Sequence, residues 1–179
     1  MADAGPKHVL DGYKVLDFTQ VLAGPTATRL MAEMGAEIIK VELAPTGDIS
    51  RALPFMKDGH SAYYTQQNRG KKSLCIDVRH PKGQEIITNL IKQVDVVIEN
   101  FSPGTIGRLG FSYDVVKAIN PRVIMCSISA LGQTGPLANV PGYDYIGQAY
   151  AGVTYMIGDP NGAPSFPMLG LGDVSTGVH

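Results

Sequence analysis

The chain has 179 residues, of which 44% are apolar and 17% charged, with a formal net charge of −1. That composition excludes a disordered or fibrous chain and fits one α/β domain burying roughly 70% of its unfolded surface. Near-neutral charge gives no reason to expect nucleic acid or an anionic membrane surface as partner.

No apolar run approaches the roughly 20 residues of a membrane span. Residues 1–8, Met-Ala-Asp-Ala-Gly-Pro-Lys-His, carry neither a signal-peptide core nor a transit-peptide pattern. Cys75 and Cys126 lie far apart, each within an apolar strand pattern and without metal-ligand spacing. They are expected to be buried free thiols, which points to a cytoplasmic protein without a metal site.

Residues 14–19, Lys-Val-Leu-Asp-Phe-Thr, read as a first strand. Gly24-Pro25 turns the chain into a helix whose apolar residues Ala27, Leu30, Met31 and Met34 share one face before Gly35 ends it. Residues 37–42, Glu-Ile-Ile-Lys-Val-Glu, make a second strand, so strand, helix and strand form a right-handed βαβ unit. The turn Gln20–Pro25 occupies the phosphate-loop position of a nucleotide-binding fold but lacks GxGxxG, which removes the main support for NAD or FAD.

Residues 44–72 read as a long connection without period, rich in Pro, Gly and polar groups and holding Tyr63, Tyr64, Asn68, Arg69, Lys71 and Lys72. Loops of that length are often functional. The cations of 69–72 suit either a solvated turn or an anion-contacting loop. A second βαβ unit follows: strand 73–78, helix 84–93, strand 94–98. His80 falls in its loop. Then come a short helix carrying Arg108, a helix over 113–119 stopped by Asn120-Pro121, and a strand over 122–127. Five strands alternating with helices, and no hairpin, predict a doubly wound, mainly parallel sheet with helices on both faces.

Beyond Ser129 turn residues dominate, with one helix expected over about 145–156. The chain closes on Met168-Leu169-Gly170-Leu171-Gly172-Asp173-Val174-Ser175-Thr176. Small residues around Asp173 let a bulky ligand approach the backbone. Its carboxylate can act as nucleophile, base or the N-cap of a closing helix.

Several segments together resemble one family: 15–25 (Val-Leu-Asp-Phe-Thr-Gln-Val-Leu-Ala-Gly-Pro), 35–42, 68–73 (Asn-Arg-Gly-Lys-Lys-Ser), 95–104 (Asp-Val-Val-Ile-Glu-Asn-Phe-Ser-Pro-Gly), 110–114, 120–124 and the closing Gly-Asp. Residues 10–179 are similar to the N-terminal part of the class III CoA-transferases, a group that includes formyl-CoA transferase, carnitine CoA-transferase and methylacyl-CoA racemases. The resemblance implies a Rossmann-like fold that is truncated relative to the family. Residues 1–179 would be the N-terminal part of the large domain, without the small second domain and the C-terminal return. It implies CoA and acyl-CoA as substrates, no permanently bound cofactor, a small carboxylic acid as acceptor, and an interlocked homodimer for the full-length protein.

By the same resemblance Asp173 is the nucleophile, forming a mixed anhydride and then an aspartyl thioester. CoA contacts fall on Leu22 and Ala23 after the first strand, on Ile76 to Arg79, on Asn100 and Phe101, and on Arg108. Guanidinium groups at Arg79 and Arg108 suit the phosphates of an ADP moiety. Racemases carry a His in the loop resembling Gly142-Tyr143-Asp144. Tyr143, with an ordinary pKa near 10, is a poor base at neutral pH but a usable hydrogen-bond donor, which favours a transferase. Two alternatives stay open: an α-methylacyl-CoA racemase using Asp173 and another base, and a CoA-binding fragment without catalysis.

Overall fold

A computed structural model describes residues 8–165 and 167–179. Strands β1 (Lys14–Asp17), β2 (Glu37–Leu43), β5 (Lys72–Ile76), β6 (Val96–Glu99) and β7 (Ile124–Ser127) form one sheet in the order β5-β2-β1-β6-β7. Every pairing in it is parallel. The chain builds outward from β1 through β2 to β5, then returns to the other side of β1. The order therefore reverses between β1 and β6, where open α/β sheets hold their ligands at the carboxyl ends of the strands.

Period-two alternation sends successive side chains to opposite faces. Leu16 joins Val97, Ile87, Ile91, Phe111 and Val116 on one face, beneath α3 (Pro81–Ile91), α4 (Thr105–Arg108) and α5 (Tyr113–Ile119). Val15 joins Ile38 and Ile98 on the other, against Ala27 and Met31 of α1 (Ala23–Glu33). The doubly wound expectation holds. Helix α1 covers only the middle strands, so Ile124 is 65% exposed and Cys75 and Cys126 are exposed free thiols, not buried ones. Both cysteines alternate onto the α1 side of an outer strand. An apolar strand pattern alone does not reveal whether a helix lies above it.

The connection over 44–72 is more regular than its sequence suggests. It holds a 3-10 turn (Ile49–Ala52), the antiparallel pair β3 (Met56–Lys57) and β4 (His60–Ser61), and α2 (Ala62–Asn68). Asp58 and Gly59 turn that hairpin with φ of 49° and 78°. An Asp-Gly pair is the ordinary signal for such a two-residue turn, so the expectation of no hairpin fails here.

Buried charges hold this excursion down. The Lys40 ammonium sits 2.8 Å from the Asp48 carboxylate, both 1% exposed. Glu42 accepts from Arg51 Nε and Nη2, Tyr64 Oη and Ser73 Oγ. Burial alone would raise the Glu42 pKa, but those donors and the Asp48 amide hold it well below the carboxylate range.

Helix ends also differ from expectation. Helix α1 begins two residues before Pro25, and α3 begins at Pro81, with His80 as N-cap accepting from the Lys82 amide. The helix expected over 145–156 is two: α6 (Asp144–Tyr150) and α7 (Val153–Met156), separated at Gly152 with φ of 77°. The last helix, α8 (Leu171–Val178), starts before Asp173, and Gly170 takes the N-cap position with φ of 90°. Asp173 therefore lies in the first turn and is not the cap. Among the described residues no helix is long and apolar enough to cross a membrane.

Candidate functional site

The site is organised by the turn from β1 into α1. The Thr19 amide and hydroxyl donate to Asp17, and a Cβ on Gly24 would collide with the Thr19 side chain, so the turn needs glycine there. Val21 is held at φ of 66°, which a β-branched residue adopts only at a cost. Leu22 and Ala23 then open α1, where the first amides of a helix lack intrahelical partners.

Lys71 braces this turn from below. Its ammonium donates to Asp17 Oδ2 (3.1 Å), Thr28 Oγ1 (2.7 Å), Asn68 Oδ1 (2.9 Å) and the Pro25 carbonyl (3.2 Å). Burial, with repulsion from Lys40, brings its pKa down to about 8 despite the Asp17 charge.

Across the switch point, Asn100 faces Gln20. Its Oδ1 accepts from the Gln20 amide at 2.8 Å and its Nδ2 donates to the Gln20 carbonyl at 2.9 Å. The Asn100 side chain is thus a clasp between the ends of β1 and β6. Phe101 follows, partly buried against the core, its amide bonded to the buried Glu99. A cavity of about 550 Å³ lies beside Gln20 and Leu43, walled by Gly47, Asp48, Ile49 and Arg51.

The remaining expected CoA residues form a second group at the same edge of the sheet. Ile76 ends β5 beside Leu43 and is partly buried. Arg79 and Arg108 are exposed, and neither forms an ion pair among the described residues. Gln84 of α3 ties their loops together, its Nε2 donating to the carbonyls of Val78 and Leu109 at 2.5 and 2.7 Å.

Helix α8 docks on α1. A Cβ on Gly177 would collide with the Ala23 carbonyl, and one on Gly170 would lie 2.8 Å from Leu22 Cδ2. This close packing brings Asp173 to the β1–α1 turn. The carboxylate is half-buried and pairs with no cation among the described residues. Burial first, and then the charge of Asp144, pushes its pKa up to about 6. Those two effects outweigh the attraction of a helix N-terminus for negative charge, worth about 0.3–1 kcal/mol.

Three neighbours had no assigned role in the sequence reading. Asp144, 5% exposed, accepts from the amides of Gly170 and Asp173. Gln148, one helical turn further on, donates to Asp144. Tyr63 of α2 is half-buried, and burial, then the charges of Asp173, Asp48 and Asp144, push its pKa up to about 12. Its phenol therefore stays protonated and sits within reach of those carboxylate charges. The Asp at the α6 entrance and the Tyr pair opening α2 were the available signals. Tyr143, by contrast, is 83% exposed at the N-cap of α6 and makes no capping bond. No cluster of three or more His, Cys, Asp or Glu side chains arranged to hold a metal occurs among the described residues.

The fold and site together define a Rossmann-like protein with a half-buried carboxylate on the helix packed against its β1–α1 turn. Residues 10–179 match the sequence profile described as CoA-transferase family III, and the chain belongs to that family. It is 41% identical to a succinate–glutarate CoA-transferase of Agrobacterium fabrum over 97% of this chain and 45% of the relative. It is 42% identical to a formyl-CoA:oxalate CoA-transferase of Rhodopseudomonas palustris over 95% of this chain and 40% of the relative. The chain therefore spans less than half the length of these curated relatives. A CAIB/BAIF family protein from Brucella suis superposes with a TM-score of 0.90 at 38% identity, covering 97% of this chain and 47% of that one.

Proposed function

We propose that this chain carries the nucleophile and the CoA-binding edge of an enzyme that moves CoA from a short acyl-CoA to a small carboxylic acid. The observation that carries the reading is Asp173. It is a half-buried carboxylate without a cation partner among the described residues, with a pKa raised to about 6, on a helix whose entrance at Gly170 meets Leu22. At neutral pH such a group is mostly ionised, and it is more basic, hence a better nucleophile, than an ordinary aspartate.

An Oδ of Asp173 attacks the thioester carbonyl. The C–S bond breaks, CoA leaves as thiolate, and a mixed anhydride remains. The thiolate then attacks the aspartyl carbonyl, which expels the donor acid and leaves an aspartyl thioester. An acceptor carboxylate repeats the two steps in reverse, releasing the new acyl-CoA and free Asp173. Tyr63, kept protonated by its surroundings, donates a hydrogen bond to the oxyanion formed at either carbonyl. Asn100, Phe101, Ile76, Arg79 and Arg108 receive the CoA, the two guanidinium groups taking its phosphates. The names of the relatives point to donors and acceptors of the size of formate, oxalate, succinate and glutarate.

The test is exchange of isotopically labelled succinate into succinyl-CoA by a protein containing this chain, with Asp173→Ala as control. Exchange that disappears in the variant is the expected result. Undiminished exchange in Asp173→Ala removes Asp173 from the mechanism, and deuterium wash-in at an α-carbon without CoA exchange replaces transfer by racemisation.

A further inference from the structure

Asp144 and Gln148, one turn apart on α6, make a set of bonds that the transfer reading leaves without a role. Asp144 Oδ2 accepts from the Gly170 amide at 2.8 Å, and Oδ1 accepts from the Asp173 amide at 3.1 Å. Gln148 Nε2 donates to Asp144 Oδ2 at 2.7 Å and to the Met168 carbonyl at 3.0 Å. Three hydrogen bonds from one i, i+4 pair thus grip the turn 168–173 at both ends, and a fourth ties the pair together. Both side chains are almost fully buried, at 5% and 1% exposure. Gly172 permits the approach, since a Cβ there would sit 3.1 Å from Asp144 Oδ1 and 3.5 Å from Gln148 Cγ.

The orientation of Gln148 is fixed by chemistry. Both partners of its Nε2 are acceptors, so the amide cannot be turned over without placing oxygen against oxygen. That constraint leaves its Oε1 buried without a donor among the described residues. A structure that tolerates an orphan acceptor beside a carboxylate pair places its donor where it grips Asp144. We propose that Asp144 and Gln148 are positioning residues for the nucleophile, clamping the turn that presents Asp173 and setting the charge it faces. This rests on the assignment of Asp173 as nucleophile.

The groups facing Asp173 are few. The elements packed most extensively against α8 are α1 and α6. At that contact α1 presents Ala23 and Thr26, and α6 presents Asp144 and Gln148. Tyr63 of α2 feels the Asp173 charge, and His179 closes α8 with its ring on the Ser175 carbonyl. Among these described residues, Asp144 is the carboxylate whose charge acts on Asp173. Its charge works against ionisation of Asp173, and the Gln148 donor damps that charge.

The experiment is a titration of Asp173 by carbon-13 carboxyl NMR in the 179-residue chain, with Asp144→Asn and Gln148→Leu. Asp144→Asn removes the opposing charge, and the Asp173 midpoint falls by about half a pH unit, a roughly threefold larger acid constant. Gln148→Leu removes the damping donor, and the midpoint rises by about 0.3, a roughly twofold smaller acid constant. Packing damage alone loosens burial in both variants and moves both midpoints down. Opposite shifts support the clamp; parallel shifts, or none, overturn it. Should Asp144→Asn fail to fold, the sign of the Gln148→Leu shift decides alone. No acyl transfer enters the readout, so a clamp that titrates as stated in a protein that forms no Asp173 adduct would sink the nucleophile assignment and leave a clamp with a structural role alone.

Discussion

Replacing Asp173 by Asn should stabilise the fold at neutral pH while removing the chemistry. Its pKa is raised from the ordinary 3.8 to about 6 by burial and by Asp144. A group whose folded pKa is raised contributes stability that is complete below its unfolded pKa and is lost as pH climbs through the folded one. At pH 7 the ionised carboxylate is therefore a net cost. The rise from 3.8 to about 6 corresponds to about 3 kcal/mol undamped. Solvent screening at a half-exposed group reduces this to about 1–2 kcal/mol. Losing the attraction of the α8 N-terminus takes back about 0.3–1 kcal/mol, so the gain wins by a small margin. Urea denaturation of both proteins at pH 7 and pH 3.5 measures it: Asp173→Asn should be more stable at pH 7, with the difference gone at pH 3.5. Equal stability at pH 7, or a difference that persists at pH 3.5, refutes the reasoning. A carboxylate that costs stability is what the proposed role of Asp173 leads one to expect, since activity and stability trade against each other.

Three further perturbations probe the scaffold. Lys71→Met leaves Asp17 buried and charged, since the pair is 1% and 0% exposed; it should cost about 3–5 kcal/mol in denaturant titration, with Asp17→Asn added to it recovering a large part. Gly177→Ala would ordinarily gain about 1 kcal/mol of helix propensity. Here the new methyl meets the Ala23 carbonyl and Thr26, so thermal melting should show a loss of about 1–3 kcal/mol. Asn100→Ala removes both bonds to the Gln20 backbone and should cost about 1–3 kcal/mol, with a several-fold weaker calorimetric affinity for CoA.

How far the sequence could be read depended on whether an interaction was local. The five strands were legible because Val15-Leu16 and Val97-Ile98 alternate between two cores, a pattern any two-sided sheet imposes. The close-packed turn around Asp173 was legible from its neighbours, since Gly170 and Gly172 mark a backbone that must pass close to other groups. The ordered excursion over 44–72 was not. It is pinned by Lys40 on Asp48, Arg51 on Glu42, and Lys71 on Asp17, the last pair 54 positions apart. Each of those side chains reads in isolation as a solvated charge. Asp144 was hidden for a similar reason: at the start of α6 it looks like a local helix residue, whereas its bonds reach the amides of Gly170 and Asp173. Arg79 and Arg108 were legible as cations, and Gln84, which joins their loops, carries no signal that a single sequence displays.

The most direct test is chemical trapping: a protein containing this chain is exposed to succinyl-CoA, quenched with hydroxylamine and digested for peptide mass spectrometry. The account predicts a hydroxamate on the peptide bearing Asp173, absent when acyl-CoA is omitted and absent in Asp173→Asn. A hydroxamate on another carboxylate, or CoA exchange without any adduct on Asp173, would contradict it.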